Sequence, residues 1–289
     1  MINELLAKRM ITEAQELVED ILMDEFSQAY KDCMTAYVAA TLLNKVAEDH
    51  YPHQDVRQSL ITILQTVPVT LSSKQISKKQ ACMSIFLDDV NFGGQLFYSV
   101  RKELHYGSQQ MSTKEVPNLN VLCHENNHLL NSCHEEIKET KTKGKKQTIV
   151  LIRTGLSKMI YMPHKNDSVV ENNIVEEVLN ERESQKNIRT IKALANCSIQ
   201  NLDIKQVLTH QDPQFQSPYQ SSMIYLRNIL PQIESQAQQA RYFGSVNQFI
   251  RKFENKYQTS FKDFSKLVDQ FHTFSTGTEI PIKMKRKTK

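Results

Sequence analysis

The stretch PNLNVLCHENNHLLNSCHEEIKETKTKGKKQTIVLI, residues 117–152, carries the chain from a helical pattern to a strand pattern, and the fold class turns on how it is read. Pro117 suits the first turn of a helix, where its missing N–H costs nothing. At about 100° per residue, Leu119, Leu122, Leu129, Leu130, Cys133 and Ile137 gather on one side, which predicts a helix from Pro117 to about Thr140. His124, His128 and Glu135 then fall on roughly the opposite side, a face expected to meet water. After the basic turn Lys141–Lys146, the β-branched run Thr148–Ile152 reads as a strand. Met159–Met162 is its expected partner across Thr154–Ser157. Such a hairpin must dock on something else to be stable.

Outward from this stretch the periodicity is helical. In the N-terminal part, Ile2, Leu5, Leu6, Met10, Ala14, Leu17, Val18 and Ile21 recur at steps of three and four. A second helix is expected from about Asp24, ending before Tyr51-Pro52 because proline disfavours the helical conformation of its predecessor. A third is expected from Gln54 to Thr66. Helices are also assigned to Lys78–Leu87 and Gln95–His105, with a loop over Tyr106–Val116. Helical spacing returns from Ser168 through Ile174, Val178, Leu179, Ile188 and Leu194, and again from Ser222 to Arg241. A last helix, Val246–Phe274, carries Phe249, Phe253, Tyr257, Phe261, Phe264 and Phe271 as an aromatic stripe. The expected fold is mainly α-helical with a small β-hairpin near residues 148–162. Two helical subdomains are expected: 1–116, and 117–289 with the hairpin and a basic tail.

The totals bound the class of protein. The chain has 289 residues, 39% hydrophobic and 24% charged, far from the composition of disordered chains. Only 7 glycines and no tryptophan are present, and scarce glycine disfavours a sheet built from many tight hairpins. Lys and Arg number 36 against 32 acidic residues, a mild surplus that names no partner by itself. Five scattered cysteines, Cys33, Cys82, Cys123, Cys133 and Cys197, are an odd number in a chain too large to need disulfides, so reduced thiols and a cytoplasmic setting are expected. The first turns are interrupted by Glu4, Lys8, Arg9 and Glu13, unlike the apolar core of a secretory signal, and no segment suggests membrane insertion.

One constellation carries the residue types of a metal site. His124-Glu125-Asn126-Asn127-His128 is an H-E-x-x-H string, followed six residues later by His134. Histidines four apart share a helix face and can both reach one Zn²⁺, and the glutamate between them can act as general base on a polarised water. The segment resembles the zinc-metalloprotease signature, and H-E-x-x-H-x-x-N-x-x-H is similar to the metzincin pattern with Asn131 where that family has glycine. The resemblance covers eleven residues. It implies zinc held by His124, His128 and His134, with Glu125 as catalytic base and Met159 or Met162 at the methionine turn. A structural metal site drawing on Cys123 or Cys133 is the other metal reading. A helix running straight through Asn131 instead leaves the histidines on a solvated face without metal, and this is the expectation adopted.

Common nucleotide-binding loops and the nucleophile elbow are absent from the sequence. The leading functional expectation is therefore a non-enzymatic adaptor or regulatory subunit of a cytoplasmic hetero-complex, with Phe249, Phe253, Tyr257, Phe261 and Phe264 meeting partner proteins. The alternatives are a zinc-dependent metallopeptidase, and nucleic-acid binding through Lys143, Lys145, Lys146, Lys285, Arg286 and Lys287.

Overall fold

A computed structural model describes residues 3–22, 26–65, 69–70, 81–92, 95–106, 118–131, 133–142, 145–165, 167–197, 202–211, 214–276 and 285–286, with the strands at 81–92 and 95–106 described by their backbone alone. The chain is mainly α-helical. Helices α1 (Glu4–Ile21), α2 (Gln28–Leu42) and α3 (His53–Gln65) form where the three- and four-residue spacing predicts them. Asn3 caps α1, its side chain accepting from Leu5 and Leu6 N–H, and Ser27 caps α2 through Tyr30 N–H. A π-helical turn, Leu43–Glu48, extends α2 and places Asn44 and Lys45 in the interior.

Residues after α3 depart from expectation. Strand β1 (Val69–Thr70) pairs in parallel with β3 (Gln95–Tyr106), and β2 (Ala81–Phe92) lies beside β3, where helices over Lys78–Leu87 and Gln95–His105 had been predicted. The helical assignment is corrected for the described part of both segments. Leu96, Tyr98, Val100, Leu104 and Tyr106 alternate at a period of two, which is a strand pattern rich in aromatic and branched side chains. A short apolar run does not by itself separate this from helix.

Helix α4 (Leu119–Leu130) is shorter than the predicted Pro117–Thr140. The chain bends at Asn131 and becomes strand β4 (Cys133–Thr142), so the second half of the predicted helix is corrected to strand. β4 pairs antiparallel with β5 (Lys145–Thr154), which pairs with β6 (Ser157–Met162), which pairs with β7 (Asp167–Glu171). The predicted hairpin is present as β5 and β6, and the strands on either side answer its need for further pairing. Val150, Ile152, Met159 and Tyr161 make its apolar face.

Helix α5 (Asn173–Leu194) follows, then α6 (Ile204–Thr209), α7 (Gln220–Tyr225), α8 (Leu230–Phe243), α9 (Val246–Tyr257), α10 (Phe261–Thr276) and strand β8 (Lys285–Arg286), which pairs with β2. The single helix predicted over Ser222–Arg241 is divided, and Pro231 sits at the start of α8, where proline is tolerated. The single helix predicted over Val246–Phe274 also breaks, at Gln258, which takes a left-handed φ of 52°.

Two compact units are distinguished. The first comprises Met1–Ser84, Glu103–Leu130 and Arg182–Phe215, and the second Ile85–Lys102, Asn131–Glu181 and Gln216–Lys289. The apolar core of the second gathers Leu156, Val175, Val178, Leu179, Leu230, Ala237, Phe249, Phe253, Phe261 and Val268. No helix among the described residues is long and apolar enough to cross a membrane.

Candidate metal centre

Helix α4 is buried on almost every side, which reverses the expected solvated face: His124 is 8% and His128 5% exposed. Buried polar side chains need partners, and Asn127 of α4 finds two through its side-chain oxygen. Asn127 Oδ1 accepts from the Tyr37 hydroxyl at 3.1 Å and from Asn187 Nδ2 at 3.2 Å. Asn187 Oδ1 accepts from Asn44 Nδ2 at 2.7 Å, and Asn44 Oδ1 accepts from the Thr190 hydroxyl at 2.9 Å. The Ser184 hydroxyl donates to the Asn120 carbonyl at 3.3 Å. A buried Lys45–Glu183 ion pair lies in the same unit. Burial, followed by the charges of Cys123 and Glu183, holds the Tyr37 phenol well above its ordinary range, so it remains a hydrogen-bond donor.

This network fixes the helix that carries the two histidines. Their Nε2 atoms face each other at 3.2 Å, with the rings edge to face and centroids 4.9 Å apart. Two nitrogens bound to one tetrahedral zinc at about 2.0–2.1 Å stand roughly 3.3 Å apart, so the observed spacing is close to a ready-made ligand edge. A hydrogen bond between neutral imidazoles has a similar length. The glutamate between the two histidines in the string H-E-x-x-H is what favours the metal reading. Two histidines on one helix face supply two of the nitrogen donors that a zinc site uses. Glu125, half-buried on the same helix, is the only acid within the string.

Glu177 projects from the first turns of α5, and its neighbour Glu176 anchors that region. Glu176 is 1% exposed and forms a forked ion pair with Arg241 of α8, from Nη2 to Oε1 at 2.7 Å and from Nε to both oxygens at 3.0 Å. Leu156 N–H donates to Oε2 at 2.7 Å, and Asn131 Nδ2 to Oε1 at 3.3 Å. Arg241 also donates to Asn180 Oδ1 at 3.0 Å and to Gln238 Oε1 at 2.6 Å.

The residues predicted from sequence fall as follows. His124 and His128 come together, with Glu125 between them. His134 lies in β4, paired with Arg153, and its side chain is outside the described residues. Met159 belongs to the sheet face. Cys33 and Cys123 are buried thiols and Cys197 is half-buried; the three form no disulfide. Phe249, Phe253, Phe261 and Phe264 lie inside the core of the second unit, with Tyr257 partly buried against it. Lys285 and Arg286 lie in β8 and Lys145 and Lys146 in β5, while Lys143 and Lys287 fall outside the described residues, as do the side chains of the other four.

Glu176 and Glu177 were not singled out from sequence. Apolar Ile174, Val175, Val178 and Leu179 mark one face of α5, so the opposite face reads as solvated. In the structure that opposite face is buried too, as Glu176, Asn180, Glu183, Ser184 and Asn187. The legible signal is the spacing itself: positions i, i+4, i+7, i+8 and i+11 from Glu176 are Glu, Asn, Glu, Ser and Asn, without the lysines common on exposed helix faces.

No protein family, curated protein or solved structure matches the chain.

Proposed function

We propose that the chain is a zinc-dependent hydrolase, with a peptide or closely related amide bond as its substrate class. The observation that carries the reading is the 3.2 Å approach of the buried His124 and His128 Nε2 atoms, on a string whose second residue is a glutamate. The donor set suits zinc, which when bound supplies Lewis-acid polarisation of a water and of the carbonyl under attack. His124 and His128 would hold the ion through Nε2. Glu125 would take the proton from the attacking water and return it to the leaving amine. His134 is the third ligand that the resemblance implies.

Metal analysis of the purified full chain tests this. About one equivalent of zinc is expected in the wild type, and less than about a tenth in His124→Ala and His128→Ala. Glu125→Gln should retain zinc while losing hydrolysis of a peptide library by at least about a hundredfold. A wild-type chain that neither carries nor takes up zinc would sink the reading. Retention of metal in His134→Ala would remove His134 from the ligand set.

A second reading, a subunit of a hetero-complex, is favoured by a different observation. In the second unit Ile224, Tyr225, Leu267 and Phe274 are exposed, and Tyr225 stacks on Phe271 at 4.2 Å. Large apolar side chains left in water are suited to a protein partner. Under this reading Leu267→Glu would abolish recovery of a defined partner on affinity purification without lowering the melting temperature.

A further inference from the structure

We propose that the exposed apolar strip formed by α7 and α10 docks an amphipathic helix whose flanking residues are acidic; this rests on the hetero-complex reading above and names the chemistry of the partner. Leu267, Phe271 and Phe274 follow one another at i, i+4 and i+7 along α10, and Phe274 is 89% exposed. Tyr225, at the end of α7, stacks on Phe271 with ring centroids 4.2 Å apart, and Ile224 beside it is exposed. Stacking holds both rings in place, so they have less side-chain freedom to lose when a partner settles on them. The spacing matches the anchors with which one helix lies against the apolar groove of another protein.

The charges around the strip decide the charge of the partner. At about 100° per residue, Lys266 stands about 100° round α10 from Leu267, with Lys262 one turn before it, and both are exposed. Arg227 is exposed two residues beyond Tyr225. Over residues 216–276 the exposed charges are these three, Arg251, Lys252 and Lys256 of α9, and a single acid, Asp263. Two acids of this stretch are occupied in helix starts: Glu254 accepts from Phe261 N–H at 2.9 Å, and Asp263 accepts from the Ser260 hydroxyl at 2.7 Å. Glu171 holds Lys262 at 3.0 Å, which moderates the excess without reversing it. A positive field beside an apolar strip selects a partner that carries apolar anchors between acidic residues. Single-stranded nucleic acid fits less well, since Phe271 already covers one face of Tyr225 and aliphatic Leu267 and Ile224 offer no stacking surface. An anionic bilayer would be met by the Asp263 carboxylate, four residues before Leu267.

Fluorescence anisotropy of the full chain with two synthetic helical peptides tests the proposal. Both carry leucine at i, i+3, i+4 and i+7; one has glutamate at the flanking positions and the other lysine. The glutamate peptide is expected to bind at least about tenfold more tightly than the lysine peptide, and to lose about tenfold or more in Leu267→Glu and in Phe274→Ser. Lys266→Glu should weaken the glutamate peptide several-fold and strengthen the lysine peptide, an exchange that loss of folding cannot produce. Raising the salt to about 0.5 M should narrow the difference between the peptides. Equal binding of the two peptides, or binding of neither, overturns the proposal. Phosphatidylserine vesicles or a poly-thymidine oligonucleotide bound through the same residues in preference to the glutamate peptide also overturn it, and assign the strip to lipid or to nucleic acid. Affinity purification separates this from the reading on which it rests. A defined partner lost in Leu267→Glu but fully recovered in Lys266→Glu removes the acidic chemistry alone, whereas recovery unchanged in Leu267→Glu removes the complex reading with it.

Discussion

Cys33 shows how completely the first unit excludes water. Its thiol is pushed up to about 12, mainly by burial and secondly by the Asp32 charge. Below the ordinary cysteine value near 9, folded and unfolded chains both hold the proton, and the contribution of the site to stability is complete. Between 9 and 12 the unfolded chain ionises first, so stability falls by about 1.4 kcal/mol per pH unit until the folded thiol also ionises. Tyr37, raised by burial and by the charges of Cys123 and Glu183, adds a loss of the same sign above its ordinary value of 10. Urea unfolding at pH 8 and pH 10.5 should show a lower midpoint at the alkaline value, and Cys33→Ala should remove roughly 2 kcal/mol of that difference. An unchanged pH dependence in the variant would mean that Cys33 does not contribute.

At the scale of elements, the turn joining β5 to β6 links the sheet to α5. Gly155 has a φ of +55°, a conformation that L side chains adopt at a cost, and its missing Cβ leaves room for the Glu176 carboxylate. Gly155→Ala therefore combines backbone strain with a clash against a buried, fully engaged ion pair. A loss of at least about 3 kcal/mol is expected from chemical denaturation, above the roughly 1 kcal/mol of left-handed strain alone. A loss of only about 1 kcal/mol would show that the carboxylate can move aside. Helix α5 also explains what sequence reading could reach. Its apolar face was legible through Ile174, Val178, Leu179 and Leu194 because burial of that face follows from hydrophobic periodicity. Its second buried face was not, since Asn180, Ser184 and Asn187 are buried only where partners such as Arg241, Asn120 and Asn127 are brought to them. Those partners are remote in the chain, and no local pattern encodes them.

For the whole molecule, ligand binding to the folded state alone raises apparent stability by mass action. At free zinc about a hundred times the dissociation constant the gain is about 2.7 kcal/mol. For a chain of 289 residues this corresponds to a rise of roughly 5 °C in melting temperature. Zinc added to chelator-treated wild type should produce this shift, and His124→Ala should abolish it. An equal rise in both proteins would point to metal binding elsewhere, including at the cysteines. The aromatic stripe belongs to this scale as well. Phe249, Phe253, Phe261 and Phe264 supply much of the core of the second unit, with ring centroids 4.9–5.8 Å apart for the Phe253–Phe261, Phe253–Phe264, Phe249–Phe261 and Phe261–Phe264 pairs. Their helical spacing suits core and partner surface alike, and the break at Gln258 folds α10 back against α9.

Sequence by itself determined the helical class, the three N-terminal helices, the β5–β6 hairpin and the string that places two histidines on one helix face. Each of these follows from spacing along a few turns of chain, where side-chain period and turn chemistry act locally. Tertiary structure alone decided that α4 is enclosed, that β4 replaces the second half of the predicted helix, and that Glu176 of α5 meets Arg241 of α8. Burial and convergence depend on groups many residues apart, and a polar stripe looks the same in sequence whether it faces water or a second polar stripe that satisfies it.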